Sequence, residues 1–191
     1  MTAEYKLPLA PKTLESADPL AKAVLQKAKA QIGFIPNMYA GMAHSPGLLE
    51  TYLDGYARFR QGSGFTPAEQ EVVFLAISRT NACDYCVAAH SMIADQMSKV
   101  APEVTDAIRD GRPIADARLA VLARFAETMV SSRGLPTKAD VAAFVAAGYQ
   151  ERQVLEVILA IAVKTLSNYY NHVGHTPLDE MFAGRVWSKA A

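Results

Sequence analysis

Helix start and stop signals recur along this 191-residue sequence, and no stretch alternates apolar and polar residues for long enough to predict a strand. The strongest start signal is Thr66-Pro67 followed by Glu69, which combines an N-cap, a first-turn proline and a capping-box acid. We therefore predict an all-α fold of about eight to ten helices. The predicted helices span approximately residues 18–33, 45–62, 66–80, 81–97, 102–110, 115–132, 138–147 and 150–170, with a short last helix after Pro177.

The composition indicates a single folded domain. Hydrophobic residues make up 51% of the chain, which is ample for a buried core, and no Gly/Ser-rich or Pro-rich linker divides it. We assign residues 16–191 to one helical domain. Residues 1–15, which include Pro8 and Pro11, are predicted to form an extended arm that contacts another surface, such as a neighbouring subunit.

Charge and hydropathy patterning exclude several classes of partner. The 19 basic and 19 acidic side chains cancel, so the chain has no overall field that would attract nucleic acid or an anionic membrane. Apolar stretches such as 154–163 are too short to cross a bilayer, and the N-terminus shows no apolar signal segment. We therefore predict a cytoplasmic protein.

Comparison of the sequence with itself reveals one internal repeat, in which residues 71–90 match residues 156–175 at an offset of 85. The apolar patterns of the two segments also match, which favours a duplicated helical unit; chance similarity between two apolar-rich helices is the alternative. If the unit is duplicated, the second copy keeps the scaffold and lacks the thiols. The matched pairs include Glu71 with Glu156, Thr80 with Thr165, Cys83 with Asn168, Tyr85 with Tyr170, Cys86 with Asn171 and His90 with His175.

Three reactive side chains occur at helical spacing in the first segment. Cys83, Cys86 and His90 lie at positions i, i+3 and i+7, so they are predicted to share one helix face, with Cys86 and His90 about 6 Å apart along the axis. If this helix begins near Asn81, Cys83 lies in its first turn, where the helix dipole favours a thiolate. Cysteines two residues apart can also close a disulfide after one sulfur is oxidised.

Two other interpretations of these cysteines stay open. Free cysteines are often buried as small apolar residues. Cys83, Cys86, His90 and Glu71 could also number four zinc ligands, although structural zinc usually takes paired ligands from two separate elements, and the sequence has no second CxxC. In a reducing cytosol, a close cysteine pair favours redox or metal chemistry over a structural disulfide.

Glu71 is an acidic residue inside an otherwise apolar run. A buried carboxylate needs a partner, and the imidazole of His90 on the following helix is a suitable one. A Glu-His-Cys chain could carry a proton away from an attacking thiol. The alternative is that Glu71 is exposed or forms an ordinary ion pair with Arg79 or Arg58.

Glu71, Cys83, Cys86 and His90, separated by eleven, two and three residues, together resemble the alkylhydroperoxidase D motif of the carboxymuconolactone decarboxylase superfamily. The resemblance covers most of residues 35–180 and implies that family's duplicated all-helical fold. The segments IGFIPNMYAGMAHSP and NYYNHVGHTPLDEMF also resemble flanking segments of the peroxidase-related branch.

The resemblance implies a peroxidase that reduces alkyl hydroperoxides or hydrogen peroxide in antioxidant defence. It assigns Cys86 as the peroxidatic thiol, Cys83 as the resolving thiol, and His90 with Glu71 as the proton relay. No metal, haem, flavin or other bound cofactor is expected. The implied reductant is an external dithiol, such as a dihydrolipoyl group on a carrier protein, and the implied assembly is a homo-oligomer, a trimer or hexamer.

One position departs from the motif. The best-known family members have a second histidine just before the peroxidatic cysteine, and Tyr85 occupies that position here. A phenol is a poor base at neutral pH, but it can donate a hydrogen bond to peroxide. Two alternative functions stay open, a lyase acting on a carboxymuconolactone-like ring and a non-catalytic redox-sensing protein.

Overall fold

A computed structural model describes residues 2–188, and within this range the protein is all-helical, as predicted. It contains nine α-helices and one 3-10 helix, which agrees with the predicted number of helices. The helices are α1 Pro19–Ile32, α2 Asn37–Met42, α3 Pro46–Gly62, α4 Pro67–Thr80, α5 Asp84–Gln96, α6 Pro102–Asp110, α7 Ala117–Ser131, α8 Lys138–Ala146, α9 Arg152–Gly174 and the 3-10 helix Glu180–Arg185.

The sequence signals place most helix ends correctly. Thr66 and Glu69 form the predicted capping box at the start of α4, and Gly33 ends α1 in the left-handed conformation. Three details differ: the six-residue α2 was not predicted, α9 continues beyond 170 to Gly174, and α5 begins at Asp84 rather than near Asn81. The late start of α5 matters for the position of the cysteines.

Helix α4 forms the centre of the molecule. Every side chain from Glu69 to Ser78 is buried, because α4 packs against α5, α6, α7 and α9 and is apolar on nearly all sides. Consequently Glu71 has no contact with solvent.

The apolar core has two parts that meet beside α4. One part surrounds α4 and α7, and the other joins α1, α2 and α3 to α5. Tyr56 and Leu159 pack against both parts. The cysteines belong to the second part, so they lie where the two parts of the core adjoin.

The N-terminal residues follow the surface of their own chain. The amide of Leu7 donates to the carbonyl of Val173 at 2.8 Å, and the amide of Lys12 donates to the carbonyl of Ala40 at 2.9 Å. His175, the residue that matches His90 in the repeat, binds the carbonyl of Ala3 through Nε2 at 2.7 Å. The predicted domain boundaries and the duplicated origin of the repeat stay predictions. None of the helices in residues 2–188 has the length and apolar content needed to cross a bilayer.

Candidate active site

The turn between α4 and α5 determines where the two cysteines point. Ala82 adopts a left-handed conformation with φ 55°, and Cys83 follows as the N-cap of α5 with φ −92° and ψ 98°. Cys83 therefore lies outside the regular helix. The prediction that Cys83 lies in the first turn of a helix that begins near Asn81 is wrong, because α5 begins at Asp84; the Cys83 thiol still lies within hydrogen-bond reach of Cys86.

The two cysteines line different cavities. Cys86 lines a cavity of about 760 Å³, the Cys86 cavity, whose wall is mainly aromatic and aliphatic and includes Tyr39, Tyr52 and Met92. Cys83 lines a smaller cavity of about 370 Å³, the Cys83 cavity. Both cysteines are free and buried, with 1% of Cys83 and 2% of Cys86 exposed.

The predicted contact between Glu71 and His90 is present. Nδ1 of His90 lies 2.8 Å from Oε2 of Glu71, and both side chains are buried. The second carboxylate oxygen, Oε1, accepts a hydrogen bond from Nη2 of Arg60 on α3. The ion-pair partner of Glu71 is thus Arg60 and not Arg79 or Arg58, which pair with Glu127 and Asp54.

The protonation states of this relay follow from its surroundings. Burial raises the pKa of Glu71, but His90 and Arg60 outweigh it and hold the pKa below its usual value. Burial lowers the pKa of His90, and the charge of Lys164 lowers it further, although Glu71 acts in the opposite direction. His90 is therefore neutral at neutral pH. Its Nδ1–H donates to Glu71, which leaves Nε2 as a proton acceptor.

Helix α9 presents a row of polar side chains near the cysteines. Lys164, Ser167 and Asn171 lie at positions i, i+3 and i+7 of α9, and all three are buried. Nδ2 of Asn171 lies 3.3 Å from Sγ of Cys86 and 3.7 Å from Sγ of Cys83, and Oγ of Ser167 lies 3.8 Å from Sγ of Cys86. Lys164 lines the Cys86 cavity.

These contacts separate the two thiols chemically. Burial by itself raises the pKa of Cys86, but a hydrogen bond from the Cys83 thiol, the charge of Lys164 and the hydroxyl of Ser167 bring it well below its usual value. Burial raises the pKa of the Cys83 thiol well above its usual value. Cys86 is therefore the thiolate of the pair, and Cys83 is the thiol that donates to it.

The charges of the site balance when Cys86 is a thiolate. Arg60 and Lys164 supply two positive charges, and Glu71 and the Cys86 thiolate supply two negative charges, while His90 is neutral. An unpaired buried charge is costly, so this balance stabilises the thiolate.

Tyrosines complete the wall of the Cys86 cavity. The hydroxyl of Tyr56 accepts a hydrogen bond from Nη2 of Arg60 at 2.6 Å, and burial raises the pKa of Tyr56 to about 12. Tyr85, the residue at the second-histidine position of the motif, donates its hydroxyl hydrogen to Asp179. In this arrangement the single hydroxyl hydrogen of Tyr85 is directed at Asp179, and donation from Tyr85 to peroxide stays a prediction.

The geometry does not match the zinc alternative. Across residues 2–188, no three His, Cys, Asp or Glu side chains converge as metal ligands. Both oxygens of Glu71 are taken by Arg60 and His90.

Sequence analysis missed Arg60, Lys164 and Ser167. Lys164 carried a detectable signal, since it is a single charged residue within an apolar run, as Glu71 is in α4. Arg60 carried none, because its position near the end of an amphipathic helix looks like an ordinary exposed one.

The fold is shared with solved structures. A peroxidase-related protein with an alkylhydroperoxidase AhpD core, from Ralstonia eutropha JMP134, aligns with a TM-score of 0.78 and 25% identity over 94% of this chain and 97% of its own. A peroxidase-related protein from Silicibacter sp. TM1040 aligns with a TM-score of 0.75 and 22% identity over 96% of this chain and 98% of its own. The debrominase Bmp8 aligns with a TM-score of 0.72 and 17% identity over 94% of this chain and 96% of its own.

A sequence comparison finds one family that is similar to part of the chain. No curated protein matches the chain. The sequence model of the carboxymuconolactone decarboxylase family matches residues 46–128, a range that contains Glu71, both cysteines and His90. Residues 46–128 of this chain thus match the carboxymuconolactone decarboxylase family, and the whole fold is similar to that of a protein with an alkylhydroperoxidase AhpD core.

Proposed function

We propose that the protein is a thiol-dependent peroxidase that reduces alkyl hydroperoxides or hydrogen peroxide through a Cys83–Cys86 disulfide cycle. The observation that carries this proposal is the pairing of a low-pKa Cys86 with a neighbouring Cys83 thiol beside the His90–Glu71 relay. A thiolate is the reactive form of cysteine toward peroxide, and its neighbour is positioned to resolve the product. We assign the activity to antioxidant defence in the cytoplasm.

The oxidative half of the cycle uses the Cys86 cavity. The Cys86 thiolate attacks one peroxide oxygen, the O–O bond breaks, and Cys86 becomes a sulfenic acid. The other oxygen leaves as alkoxide or hydroxide and takes up a proton from solvent, with Nε2 of His90 as the carrier. Glu71 stabilises the imidazolium that forms in transit, since its carboxylate accepts the Nδ1–H.

Resolution and reduction complete the cycle. The Cys83 sulfur attacks the Cys86 sulfenic sulfur, water leaves, and a disulfide forms. An external dithiol then reduces this disulfide and becomes a disulfide itself. One peroxide and one dithiol are thus converted into an alcohol, or water, a second water and the disulfide form of the reductant. We propose a dihydrolipoyl group on a carrier protein as the dithiol, and a homo-oligomeric assembly, a trimer or hexamer; no metal or bound organic cofactor takes part in this cycle.

The size and chemistry of the Cys86 cavity favour an organic hydroperoxide. The cavity of about 760 Å³ is far larger than hydrogen peroxide needs, and its wall is rich in tyrosine and methionine. Burial of an apolar substituent there supplies binding energy in proportion to its area. Bulky alkyl or aryl hydroperoxides are therefore the expected substrates.

A second candidate follows from the same apolar wall. A variant of the debrominase Bmp8, which shares this fold, has been solved in complex with 2,3,4-tribromopyrrole. A flat halogenated ring fits the character of a cavity lined by Tyr39, Tyr52 and Tyr56. The same thiol pair could supply the two electrons that reductive removal of a halogen requires, so halogenated pyrroles and phenols belong in the substrate panel.

The decisive experiment follows the thiols. Reduced protein is mixed with one equivalent of an organic hydroperoxide, and free thiols and intact mass are measured over time. We expect rapid loss of two thiols with a mass decrease of about 2 Da. Thiols that persist over hours would contradict the peroxidase proposal.

Cysteine variants assign the sulfurs. Cys86→Ser should abolish peroxide turnover, whereas Cys83→Ser should retain the first step and stop at a sulfenic acid that gains about 16 Da. Activity on a carboxymuconolactone-like ring that survives in the double serine variant would instead favour a lyase. Slow oxidation accompanied by a change of assembly would favour a redox-sensing protein.

A further inference from the structure

The Cys83 cavity and the Cys86 cavity lie on opposite faces of α5. Asp84 and Ala88, one turn apart, line the Cys83 cavity. Ala89 and His90 line the Cys86 cavity from the other side of the helix. Among the described residues, Tyr85 alone lines both cavities, and its bond to Asp179 fixes its ring between them.

The Cys83 cavity contains buried polar atoms that have no partner. Oδ1 of Asn171 and Nε2 of His172 are buried and accept no hydrogen bond from residues 2–188. Asn171 is only 4% exposed, and its Nδ2 is directed at both sulfurs. Buried polar atoms are nearly always paired, so two unpaired ones beside a reactive sulfur indicate a ligand that supplies donors.

We propose that the Cys83 cavity is the binding site of the dithiol reductant, and that His172 is the base that deprotonates its attacking thiol. This inference rests on the proposed disulfide cycle. Peroxide then reaches the Cys86 thiolate through the Cys86 cavity, and the dithiol reaches the Cys83–Cys86 disulfide through the Cys83 cavity on the opposite face of α5.

The exchange chemistry agrees with attack on Cys83. A reductant thiolate attacks Sγ of Cys83, the Cys83–Cys86 bond breaks, and Cys86 leaves as a thiolate. The second reductant thiol then attacks the mixed disulfide at the reductant sulfur, which releases Cys83 and leaves the reductant as a disulfide. A low-pKa thiol is the better leaving group, and Cys86 is the low-pKa member of the pair.

His172 has the form that a base requires. Burial lowers its pKa, so the imidazole is neutral at neutral pH, and it also bonds the backbone of Ala82. With one ring nitrogen donating to Ala82, Nε2 is a free acceptor beside Cys83. Oδ1 of Asn171 is a second acceptor, so the cavity suits a dithiol whose chain carries an N–H donor, such as an amide.

Two adjacent alanines on α5 offer a matched test. Ala88 lines the Cys83 cavity and Ala89 lines the Cys86 cavity, so Ala88→Met and Ala89→Met each fill one of them. The disulfide is formed chemically with diamide, and its reduction by dihydrolipoamide or dithiothreitol is followed by thiol release. The fluorescence of Trp187, the single tryptophan, gives a second readout because it lines the Cys83 cavity. Oxidation of the reduced enzyme by hydroperoxide is measured separately.

We expect Ala88→Met to slow reduction by about tenfold or more while oxidation changes less than about twofold, and Ala89→Met to do the reverse. If Ala88→Met does not fold, His172→Gln is used in its place. His172→Gln should slow reduction of the disulfide by about tenfold or more at neutral pH. His175→Gln, in the same cavity, is its control. Reduction slowed by Ala89→Met and not by Ala88→Met or His172→Gln would overturn the proposal.

The experiment also distinguishes an amide-bearing dithiol from a simple one, and it distinguishes failure of this proposal from failure of the peroxidase proposal. A larger effect of Ala88→Met with dihydrolipoamide than with dithiothreitol supports a cavity that holds an amide-bearing arm, and a protein-borne lipoyl group should show the same ranking. Because diamide makes the disulfide without peroxide, an enzyme inert to hydroperoxide would refute the peroxidase proposal and still allow this one to be decided.

Discussion

The matched segments 71–90 and 156–175 have similar residue patterns and different backbones. In the first, α4 ends at Thr80 and α5 begins at Asp84, with a left-handed Ala82 in the turn between them. The second lies within α9, which is unbroken through Gly174. The break in the first segment makes Cys83 the N-cap of α5, with its thiol beside Cys86.

The difference divides the chemistry between the segments. The broken segment carries the two cysteines and the Glu71–His90 contact, and the unbroken helix presents Lys164, Ser167 and Asn171 as a row of polar side chains near them. The segments touch where they differ, since Nδ2 of Asn81 donates to Oδ1 of Asn168 at 2.9 Å. The segment that lacks thiols therefore contributes Lys164, whose charge lowers the pKa of Cys86 in the segment that has them.

The largest expected effect concerns the matched acids Glu71 and Glu156. Glu71→Gln leaves the buried charge of Arg60 without its carboxylate and should lower the free energy of unfolding by about 3 kcal/mol or more. Glu156→Gln, the control, breaks only a partly exposed pair with Arg152 and should cost less than about 0.5 kcal/mol. Urea unfolding of both variants measures the difference, and equal losses would show that the two positions have the same environment.

The next effect concerns the matched bases Lys164 and Arg79. In a Cys83→Ser background, Lys164→Met removes a buried cation beside Cys86 and should raise the midpoint of its pH-dependent alkylation by about one pH unit. Lys164→Arg should restore most of the shift.

Arg79→Met is the control for this experiment. Arg79 pairs with Glu127 and lines a different cavity, so its loss should leave the Cys86 midpoint unchanged. A midpoint unmoved by Lys164→Met in a folded protein would assign the low pKa of Cys86 to hydrogen bonding alone. A changed KM for anionic peroxides at an unmoved midpoint would assign Lys164 to substrate binding.

This comparison also explains how far sequence alone could go. Caps and apolar spacing predicted most helices, and the motif predicted the Glu71–His90 contact, because these depend on residues close in sequence or on a recurrent spacing. The left-handed Ala82 had no local signal, since alanine is an ordinary helix residue. Arg60 and Lys164 reach the site from α3 and α9, and no spacing in the sequence encodes that meeting.

A smaller effect concerns the matched histidines and pH. The pKa of His90 in the folded protein lies below its value of about 6.5 in the unfolded chain, so the folded state binds fewer protons. His90 therefore contributes to a loss of stability as the pH falls from about 6.5 toward the lower native pKa. Unfolding free energies measured across this range should show a shallower decline in His90→Gln than in the parent protein, whereas His175→Gln should follow the parent. Identical slopes in all three proteins would mean that His90 titrates normally.

The smallest effect tests the break itself, at the matched positions Ala82 and Ser167. Glycine adopts the left-handed conformation without the steric cost that Ala82 bears at φ 55°, so Ala82→Gly should be neutral or stabilise by up to about 1 kcal/mol. Position 167 lies inside the unbroken helix α9. There, Ser167→Gly should be less stable than Ser167→Ala by about 1 kcal/mol. Thermal or urea unfolding of the four proteins gives both differences. Opposite signs are expected only if the matched backbones differ, and equal destabilisation at both positions would show that the first segment is helical through its turn.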